Sequence, residues 1–294
     1  MRFDFIRQSR SPGSQSLACR VLKVSRAGLY AVARRVPCSR QQRQEKLRAQ
    51  IRGSFEQSRG TYGSWRITAE LRAGGTRVCR NTVARLMCEM GLKSGVQRRF
   101  VPRTTDAHHD HPIAANLLDR QFSATAPNQK WVADITYVPT AQGFLYLAAV
   151  LDLYSRRIVG WNMADHLQSD LVDEALRMAL LSRRPGAGLM HHSDRGVQYA
   201  CRQHRQLLER AGMIRSMSRA GNCYDNAVME SFFGKLKTEL INEQTYQTHD
   251  QARSSIFEYL EGFYNRQRRH SSLGYLSPDE YERRDQVSAN SPMT

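Results

Sequence analysis

The stretch WVADITYVP, residues 131–139, decides the fold that this sequence predicts. Its apolar and polar residues alternate, which is typical of a strand with one buried face. Two further apolar runs follow after short turn-like segments, FLYLAAVLDLY at 144–154 and RRIVGWNM at 156–163. Three strands joined by short turns predict an antiparallel meander.

Helical and strand patterns alternate after the meander. The segments are an amphipathic helix at 169–184, a short strand at 188–194, a helix at 200–212, a strand at 213–218 and a long helix at 222–241. The face that the first of these helices buries is expected to carry Leu171, Ala175, Met178 and Leu181. This order of elements predicts a mixed α/β sheet with helices on its faces.

Positive charge is concentrated in the first part of the chain. Residues 1–120 hold 24 lysines and arginines against eight acidic residues, whereas residues 121–294 hold 20 against 19. This distribution predicts that the basic N-terminal part binds a polyanion, with nucleic acid as the leading partner, whereas the C-terminal part is nearly neutral. An anionic membrane is the alternative, but no apolar run approaches the roughly 20 residues of a membrane span.

Cysteine usage and the N-terminus indicate the compartment. The six cysteines include no CxxC pair, which argues against a zinc ribbon and against a disulfide framework. The first residues contain no apolar core of a secretory signal. We therefore expect a cytoplasmic protein with reduced thiols.

Two helix pairs are predicted in the basic region. Residues 16–35 suggest two short helices, the first with Leu17, Val21 and Leu22 as an apolar stripe and the second capped by Ser25. Residues 61–92 suggest another pair, broken at Gly74 and Gly75. Each pair fits a helix-turn-helix that inserts a recognition helix into a major groove, although a small helical bundle with solvated charges would look the same. The side chains predicted to contact DNA here are Arg26, Arg72, Arg77, Arg80 and Arg85.

The stretch between the helix pairs and the strands predicts a linker, because it mixes proline, histidine, aspartate and threonine without periodicity. Its HHDH cluster at 108–111 could suggest a metal site, but no cysteine pair lies at finger spacing, so we interpret it as polar linker.

The predicted boundaries are a helical, helix-turn-helix-like region at 1–60, a second such region at 61–100, a linker at 101–127, an α/β core at 128–245, a C-terminal helical segment at 246–285 and a disordered tail at 286–294.

Three carboxylates fall at unusual places in this pattern. Asp134 lies within a strand between apolar neighbours, where a charge is costly unless it is paired or binds a metal. Asp194 follows the fourth strand, at the edge where open α/β sheets bind ligands. Glu230 lies in the final helix, and Lys237 shares nearly the same helical face. The alternative is that the three carboxylates have unrelated structural roles. Asp194 would then form a turn, Glu230 a helix salt bridge, and Asp134 would be an isolated buried carboxylate.

Convergence of these carboxylates would create a site for two divalent cations. Oxygen ligands suit Mg²⁺ or Mn²⁺, and two ions about 4 Å apart can clamp the attacking and leaving oxygens of a phosphoryl transfer. Neighbouring polar residues are expected to be structural, with Asp225 capping the final helix, Asp152 pairing with Arg156, and His191 and His192 packed or hydrogen-bonded. Ser193 and Cys223 lack an ordered base and orienting partner, so covalent catalysis is not expected.

Specific motifs identify a family at this point. They extend from about residue 17 to residue 282. The matching stretches are CRVLKVSRAGLY, GTYGSWRI, RNTVARLMCEMGL, PNQKWVADITYVPT, YLAAVLDLYSRRIVGW, HHSDRGVQYA, SMSRAGNCYDNAVMESFFGKLKTEL and FYNRQRRHSSLGYLSPDEY. The sequence resembles the catalytic protein of bacterial insertion-sequence transposases with a retroviral-integrase-like core, encoded by the second of two overlapping frames.

The resemblance implies a ribonuclease-H-like core with a catalytic triad of Asp134, Asp194 and Glu230 bound to two Mg²⁺ ions, for which Mn²⁺ can substitute. The implied reaction is attack by water on a phosphodiester at the element's end, followed by attack of the freed 3′-hydroxyl on another phosphodiester, without a covalent enzyme intermediate. Lys237 would hold substrate DNA. The C-terminal signature at 263–278 would add DNA contacts from Arg268 and Arg269.

The resemblance also implies partners. These are the terminal inverted repeats of an element, target DNA, the first-frame protein or a fusion with it, and further copies of this chain on DNA, in the bacterial cytoplasm with the nucleoid. Two alternatives stay open at this stage. One is a catalytically inactive DNA-binding regulator from a decayed element, and the other is a simple ribonuclease-H-like nuclease that cuts DNA without joining it.

Overall fold

The chain is described by a computed structural model that forms two compact units, residues 1–54 and 55–294. The residues that it describes are 5–6, 12–33, 38–95, 111–220 and 223–290. The predicted second helix pair and the predicted α/β core therefore fall in the same unit. Most of the HHDH cluster, at 108–110, lies outside the described residues.

The first unit is helical, as predicted. It contains α1 (Pro12–Val21), α2 (Arg26–Ala33) and most of α3 (Ser39–Gln57). The hydroxyl of Ser25 accepts a hydrogen bond from the Gly28 amide at 2.9 Å, which confirms the predicted cap.

The small core of the first unit differs from the predicted stripe of α1. Its buried residues are Ile6, Cys19 and Leu29, with Leu22 packed against them. Leu17 and Val21 are 60% and 69% exposed, so the stripe was wrong at these two positions. The reason is that α1 turns Cys19 inward, and Leu17 and Val21 lie nearly on the opposite side of the helix from it.

The second predicted helix pair is present as α4 (Ser64–Ala73) and α5 (Arg80–Glu89). Gly75 adopts a φ of 79° in the connection, a left-handed conformation that glycine adopts without steric cost. The buried side chains of the pair include Ile67, Leu71, Val83 and Leu86.

A five-stranded mixed sheet forms the centre of the second unit, as predicted. Its strands are β1 (Lys130–Thr140), β2 (Gly143–Asp152), β3 (Ile158–Ala164), β4 (Met190–Ser193) and β5 (Ile214–Met217). The spatial order is β3-β2-β1-β4-β5. The pairs β1–β2 and β2–β3 are antiparallel, whereas β1–β4 and β4–β5 are parallel. The predicted meander is therefore confirmed.

Helices cover the sheet and extend beyond it. They are α6 (Ser169–Arg183), α7 (Val197–Ala200), α8 (Arg202–Arg210), α9 (Ala227–Glu239), α10 (His249–Phe257), which continues as a π-helix over Glu258–Tyr264, and α11 (Pro278–Asn290). Short 3₁₀ turns lie at Cys223–Asn226, Ile241–Glu243 and Ser271–Leu273. Among the residues described, no helix is long and apolar enough to cross a membrane.

Helix α6 lies against β3 at very short distance. A Cβ on Gly160 would lie 2.2 Å from the carbonyl oxygen of Ala175, so only glycine permits this approach. The buried face of α6 includes Leu171, Ala175 and Ala179, whereas Leu181 is 77% exposed. The prediction that Leu181 packs inward was therefore wrong, because it lies well off the face set by the two alanines.

The predicted linker at 101–127 is wrong for its second half. The amides of Leu117 and Leu118 donate to the hydroxyl of Ser216 on β5 at 2.9 and 3.1 Å, and the Met217 amide donates to Ala115 at 3.4 Å. Leu118 is 1% exposed. This segment therefore packs on the edge strand, whose outer hydrogen-bonding groups need partners.

Candidate active site

The register of two parallel strands sets Asp134 and Asp194 at the same level. Val132 on β1 pairs with His192 on β4. Two residues further along each strand, where β4 has ended, come the two aspartates. Both line one cavity of about 230 Å³, so the structure brings these two predicted site residues together.

Backbone amides orient both carboxylates. Oδ1 of Asp134 accepts a hydrogen bond from the Ile135 amide at 2.8 Å, and Oδ1 of Asp194 accepts one from the Gly196 amide at 2.9 Å. A Cβ on Gly196 would lie 3.1 Å from Oδ1 of Asp194 and 3.0 Å from the amide oxygen of Gln198. A larger residue at position 196 would therefore displace the carboxylate.

The electrostatics of the cavity favour a cation. Burial raises the pKa of Asp134 well above its usual value, and the negative charges of Asp194 and Glu230 raise it further. The Ile135 amide and Lys237 act in the opposite direction, but they are outweighed. Two carboxylates that face one cavity repel each other, and a bound cation would remove that repulsion.

Glu230 lies beside this pair, in the first turn of α9. The side-chain amide of Asn226 donates to the Ala133 carbonyl on β1 at 3.3 Å, which fixes the start of the helix next to Asp134. The carboxylate of Glu230 is exposed, and its charge still raises the pKa of Asp134. In the part of the chain that the structure describes, no three acidic, histidine or cysteine side chains form a ready metal-binding cluster.

An aromatic wall borders the aspartates, and the sequence did not reveal it. Tyr137, Phe144 and Tyr146 line the same cavity, and the first two rings meet edge to face with centroids 4.9 Å apart. Nζ of Lys237 lies 4.6 Å from the centre of the Tyr137 ring. Burial lowers the pKa of Lys237, whereas the charge of Asp134 raises it. Alternation along β1 would place Tyr137 and Asp134 on opposite faces, so the sequence pattern gave no signal that the ring borders the carboxylate.

Neutral histidines pack behind the carboxylates. His192 exchanges hydrogen bonds with the hydroxyls of Ser216 and Ser218 at 2.8 and 3.1 Å, and burial lowers its pKa to about 4. His191 is also buried, with its ring 6.3 Å from that of Tyr199. These residues are packed and hydrogen-bonded, as expected from the sequence.

Asp225 does not cap α9, which corrects the prediction. Its Oδ2 accepts hydrogen bonds from the Asn116 amide group at 2.8 Å and from the Arg219 backbone amide at 2.9 Å, and its Oδ1 accepts one from Arg120 at 3.2 Å. Burial alone would raise the pKa of Asp225, but these donors outweigh it and hold the pKa at about 2. Asp225 therefore ties residues 116–120 to the approach to α9.

Replacing Asp225 with asparagine should lower the free energy of unfolding by about 2 kcal/mol at pH 7, because charge-assisted hydrogen bonds are lost. The folded-state pKa is depressed, so this stabilisation is present above pH 4 and is lost as pH falls towards 2. Urea unfolding across this pH range measures it. Asp119→Asn is the control, since Asp119 is 65% exposed and contacts Arg219 from outside. Equal stability of the two variants at pH 7 would contradict this role.

Asp152 pairs with a different arginine from the one predicted. Its Oδ2 lies 3.6 Å from the guanidinium of Arg183, and its carboxylate accepts hydrogen bonds from the amides of Asn128 and Tyr154. The Arg156 backbone amide donates to the Asp152 carbonyl at 2.8 Å, whereas its guanidinium donates to the Phe122 carbonyl at 3.0 Å. The residue is structural, as expected, with Arg183 as its partner.

The arginines predicted to contact DNA are all exposed in the helical regions: Arg26, Arg72, Arg77, Arg80 and Arg85. Arg72 donates to the Val78 carbonyl at 3.0 Å, and Arg80 lies 4.6 Å from the ring centre of Trp65. Arg85 pairs with Glu89. Their exposure is compatible with phosphate contacts, and those contacts stay a prediction.

Arg268 and Arg269 are buried and do not project from the surface as side chains for DNA contact were expected to, and the DNA contacts predicted for them stay a prediction. They are 1% and 8% exposed. Arg268 pairs with Glu239 on α9, and Arg269 pairs with Glu70 on α4. The sequence separates Arg269 from Glu70 by 199 residues, and these pairs fasten the C-terminal segment to both helices.

Comparison with known proteins identifies the family. Models described as integrase core domain match residues 124–223 and 211–278, and a model described as HTH-like domain matches residues 41–100. The transposase InsF for insertion sequence IS3A of Escherichia coli (strain K12) is 40% identical over 287 residues, which are 97% of this chain and 99% of that protein. The chain belongs to the insertion-sequence transposase family.

A second relative of this transposase is an insertion element IS600 31 kDa protein of Shigella sonnei. It is 47% identical over 272 residues, which are 92% of this chain and 100% of that protein. Among solved structures, the catalytic core domain of BIV integrase covers 56% of this chain and 99% of its own, at 15% identity and a TM-score of 0.42. The sequence relatives confirm the predicted family and its function as a DNA transposase.

Proposed function

We propose that Asp134, Asp194 and Glu230 of this transposase hold two divalent cations, Mg²⁺ in the cell with Mn²⁺ as a substitute. The observation that carries the proposal is the pair of aspartates at one level of parallel strands, facing one cavity. Hard oxygen donors suit these ions. Bound there, the ions would stabilise negative charge on the oxygens of a phosphodiester under attack.

Other residues of the cavity orient the carboxylates and bind the substrate strand. The Ile135 and Gly196 amides each donate to one oxygen of these aspartates and so orient the two carboxylates in the cavity. Lys237 is the cation beside them, and it positions a phosphate of the substrate strand. The aromatic wall of Tyr137, Phe144 and Tyr146 offers flat faces to bases near the scissile bond.

The proposed reaction has two steps at this one site. In the first, a water oxygen bonds to phosphorus at the element's end, the bond to the 3′-oxygen breaks, and a 3′-hydroxyl and a 5′-phosphate result. In the second, that 3′-hydroxyl bonds to a phosphorus of target DNA, and the displaced oxygen leaves as a new 3′-hydroxyl. Each step exchanges one P–O bond for another, so neither needs a covalent enzyme intermediate.

The helical regions would bring DNA to this site. Arg26, Arg72, Arg77, Arg80 and Arg85 supply exposed positive charge for phosphate contacts. Terminal inverted repeats and target DNA are the substrates that the reaction needs. Joining two ends requires more than one copy of the chain, and we include the first-frame protein or a fusion with it as a partner. Such a reaction takes place in the bacterial cytoplasm, at the nucleoid.

A strand-joining assay tests the proposed reaction. A labelled donor oligonucleotide with the element's end is incubated with a target plasmid, Mg²⁺ and the chain together with the first-frame protein. We expect labelled plasmid with the native chain and none with Glu230→Gln, whereas Glu174→Gln, an exposed carboxylate on α6, serves as the active control.

The alternatives predict other products in the same assay. A simple nuclease would shorten the donor without labelling the plasmid. A decayed regulator would bind the donor and leave both DNAs intact. Either result with the native chain would contradict the proposal.

A further inference from the structure

A second concave surface lies away from the aspartates, between the residues around α4 and the end of α9. Its volume is about 690 Å³. The side chains that define this basic groove are Arg59, Arg66, Lys93, Lys235, Glu239 and Arg268. We infer that the basic groove binds the phosphodiester backbone of a DNA strand.

Two glutamates, Glu239 and Glu243, line the basic groove, and Glu239 is already paired. Glu239 accepts hydrogen bonds from Arg268, one of them at 2.7 Å, and from the hydroxyl of Tyr259 at 2.8 Å. Even so, Nη1 of Arg268 is buried without a hydrogen-bond partner among the described residues. Five basic residues line the groove against these two glutamates, so its positive charge is in excess.

Arg66 and Lys235 are half-buried cations on opposite walls of the basic groove. The Arg66 guanidinium lies 5.6 Å from the ring centre of Tyr62, and Nζ of Lys235 donates to the Ser231 hydroxyl at 3.0 Å. Within the described ranges, neither forms an ion pair with a carboxylate. The charge of Glu239 acts on both side chains, but its carboxylate is already paired with Arg268, so an anion from outside would supply the negative charge that Arg66 and Lys235 lack.

The pKa values of Lys235 and Arg66 are both lowered in the groove. Burial lowers the pKa of Lys235 to about 8, and the charges of Arg268 and Arg66 add to the effect. Burial and the charge of Arg268 likewise lower the pKa of Arg66. Repulsion among cations that share one groove is what a bound phosphate would relieve.

DNA fits the basic groove better than a small anion does. The groove has a volume of about 690 Å³, and its lining joins the helix-turn-helix-like region to α9, the helix that carries Glu230 in its first turn. Lys235 follows Glu230 by five residues, a rise of about 7.5 Å along the helix. Lys235 also lies about 140° around the helix from Glu230, so a strand held in the groove would contact a different face of α9 from the one that carries Glu230. The inference rests on DNA as the substrate of the proposed function, and not on the cation site.

A binding measurement without divalent cations tests the groove alone. Fluorescence anisotropy of a labelled duplex in EDTA is followed over a range of salt concentrations with Lys235→Gln and Arg66→Gln. Each variant should bind about tenfold more weakly, with a salt slope shallower by about 0.9 per lost phosphate contact. Arg177→Gln removes the same charge from the exposed face of α6 and is the matched control.

The outcome separates the groove from the active site. If both groove variants have the same DNA affinity and the same salt slope as Arg177→Gln, the inference is overturned. Because the assay contains no cleavage step, a failed cation site leaves its result unchanged. Circular dichroism and thermal unfolding of each variant confirm that the comparison is made between folded proteins.

Acetylation of the native chain provides a test that needs no substitution. Lys235 should be modified more slowly when saturating DNA is present, whereas Lys130, on β1, is the internal reference. Unchanged acetylation of Lys235 would overturn the inference. Equal protection by inorganic phosphate alone at low millimolar concentration would assign the groove to free phosphate, which also overturns it.

The pH dependence of binding gives a further prediction. Lys235 is surrounded by Arg268, Arg66, Glu239 and Arg156, and only its protonated form attracts phosphate. DNA affinity of the native chain should therefore fall more steeply from pH 7 to pH 9 than that of Lys235→Gln. Parallel pH profiles for the two proteins would contradict the role of Lys235.

Discussion

Asp134→Asn is expected to reduce strand cleavage by at least about 10³-fold, because asparagine keeps the shape of the side chain and removes the charge that would hold a cation. The position of Asp134 makes this the most sensitive residue of the proposed site. It lies on the central strand of the sheet, beside Asp194 and within the field of Glu230 and Lys237. Cleavage of a labelled element end in Mg²⁺ measures the effect, with Asp250→Asn, 90% exposed on α10, as the control.

The same substitution should raise the free energy of unfolding in EDTA at pH 7. The folded state raises the pKa of Asp134, so the charged carboxylate destabilises the fold, and the cost appears as pH rises through the unfolded and then the folded value. Asparagine removes that cost. Thermal unfolding at pH 7 and pH 4 should show the gain at pH 7 only. Lower stability together with lost cleavage would indicate that the fold was damaged and would contradict the assignment.

Arg268→Ala should have the largest effect on stability, lowering the free energy of unfolding by about 3–5 kcal/mol. Its guanidinium is 1% exposed and paired with Glu239, so the substitution leaves a carboxylate in the interior without its partner. The Tyr259 hydroxyl, which donates to the same carboxylate at 2.8 Å, cannot replace the lost charge.

Urea unfolding measures this effect, and the chain offers a close control. Arg266 lies two residues away and is exposed, so Arg266→Ala should change the free energy of unfolding by less than about 0.5 kcal/mol. The pair Arg268→Met and Glu239→Leu should recover part of the loss, because it removes both buried charges together. A variant Arg268→Ala as stable as Arg266→Ala would mean that the ion pair is not a structural anchor.

Periodicity was enough to predict the sheet, because each strand of the meander carries its own pattern. Residues 131–139 alternate, 144–154 are continuously apolar, and turn residues separate them. The parallel register of β1 and β4 then sets Asp134 opposite Asp194, so two residues of the proposed site followed from strand order. The cap at Ser25 was also predictable, because its hydroxyl contacts the amide of Gly28, a residue only three positions further along the chain.

Long-range pairing is what the sequence could not reveal. The residues next to Arg268 and Arg269 in the sequence do not indicate that these arginines pair with Glu239 and Glu70. Both arginines were therefore predicted to be surface charges. Asp225 looked like a local cap, but its donors include Arg120 and Asn116, more than a hundred residues earlier. Side chains that converge from distant segments have no local signature, and the basic groove was missed for that reason.

The most direct test of the proposed site compares the native chain with Asp194→Asn on a labelled oligonucleotide that carries the element's end, together with the first-frame protein. We expect the native chain to nick the strand at the element's boundary in Mg²⁺ or Mn²⁺ and not in EDTA, and Asp194→Asn to bind the DNA equally well without nicking it. Nicking that persists in EDTA, or that Asp194→Asn retains, would contradict the assignment of Asp194 as a metal ligand.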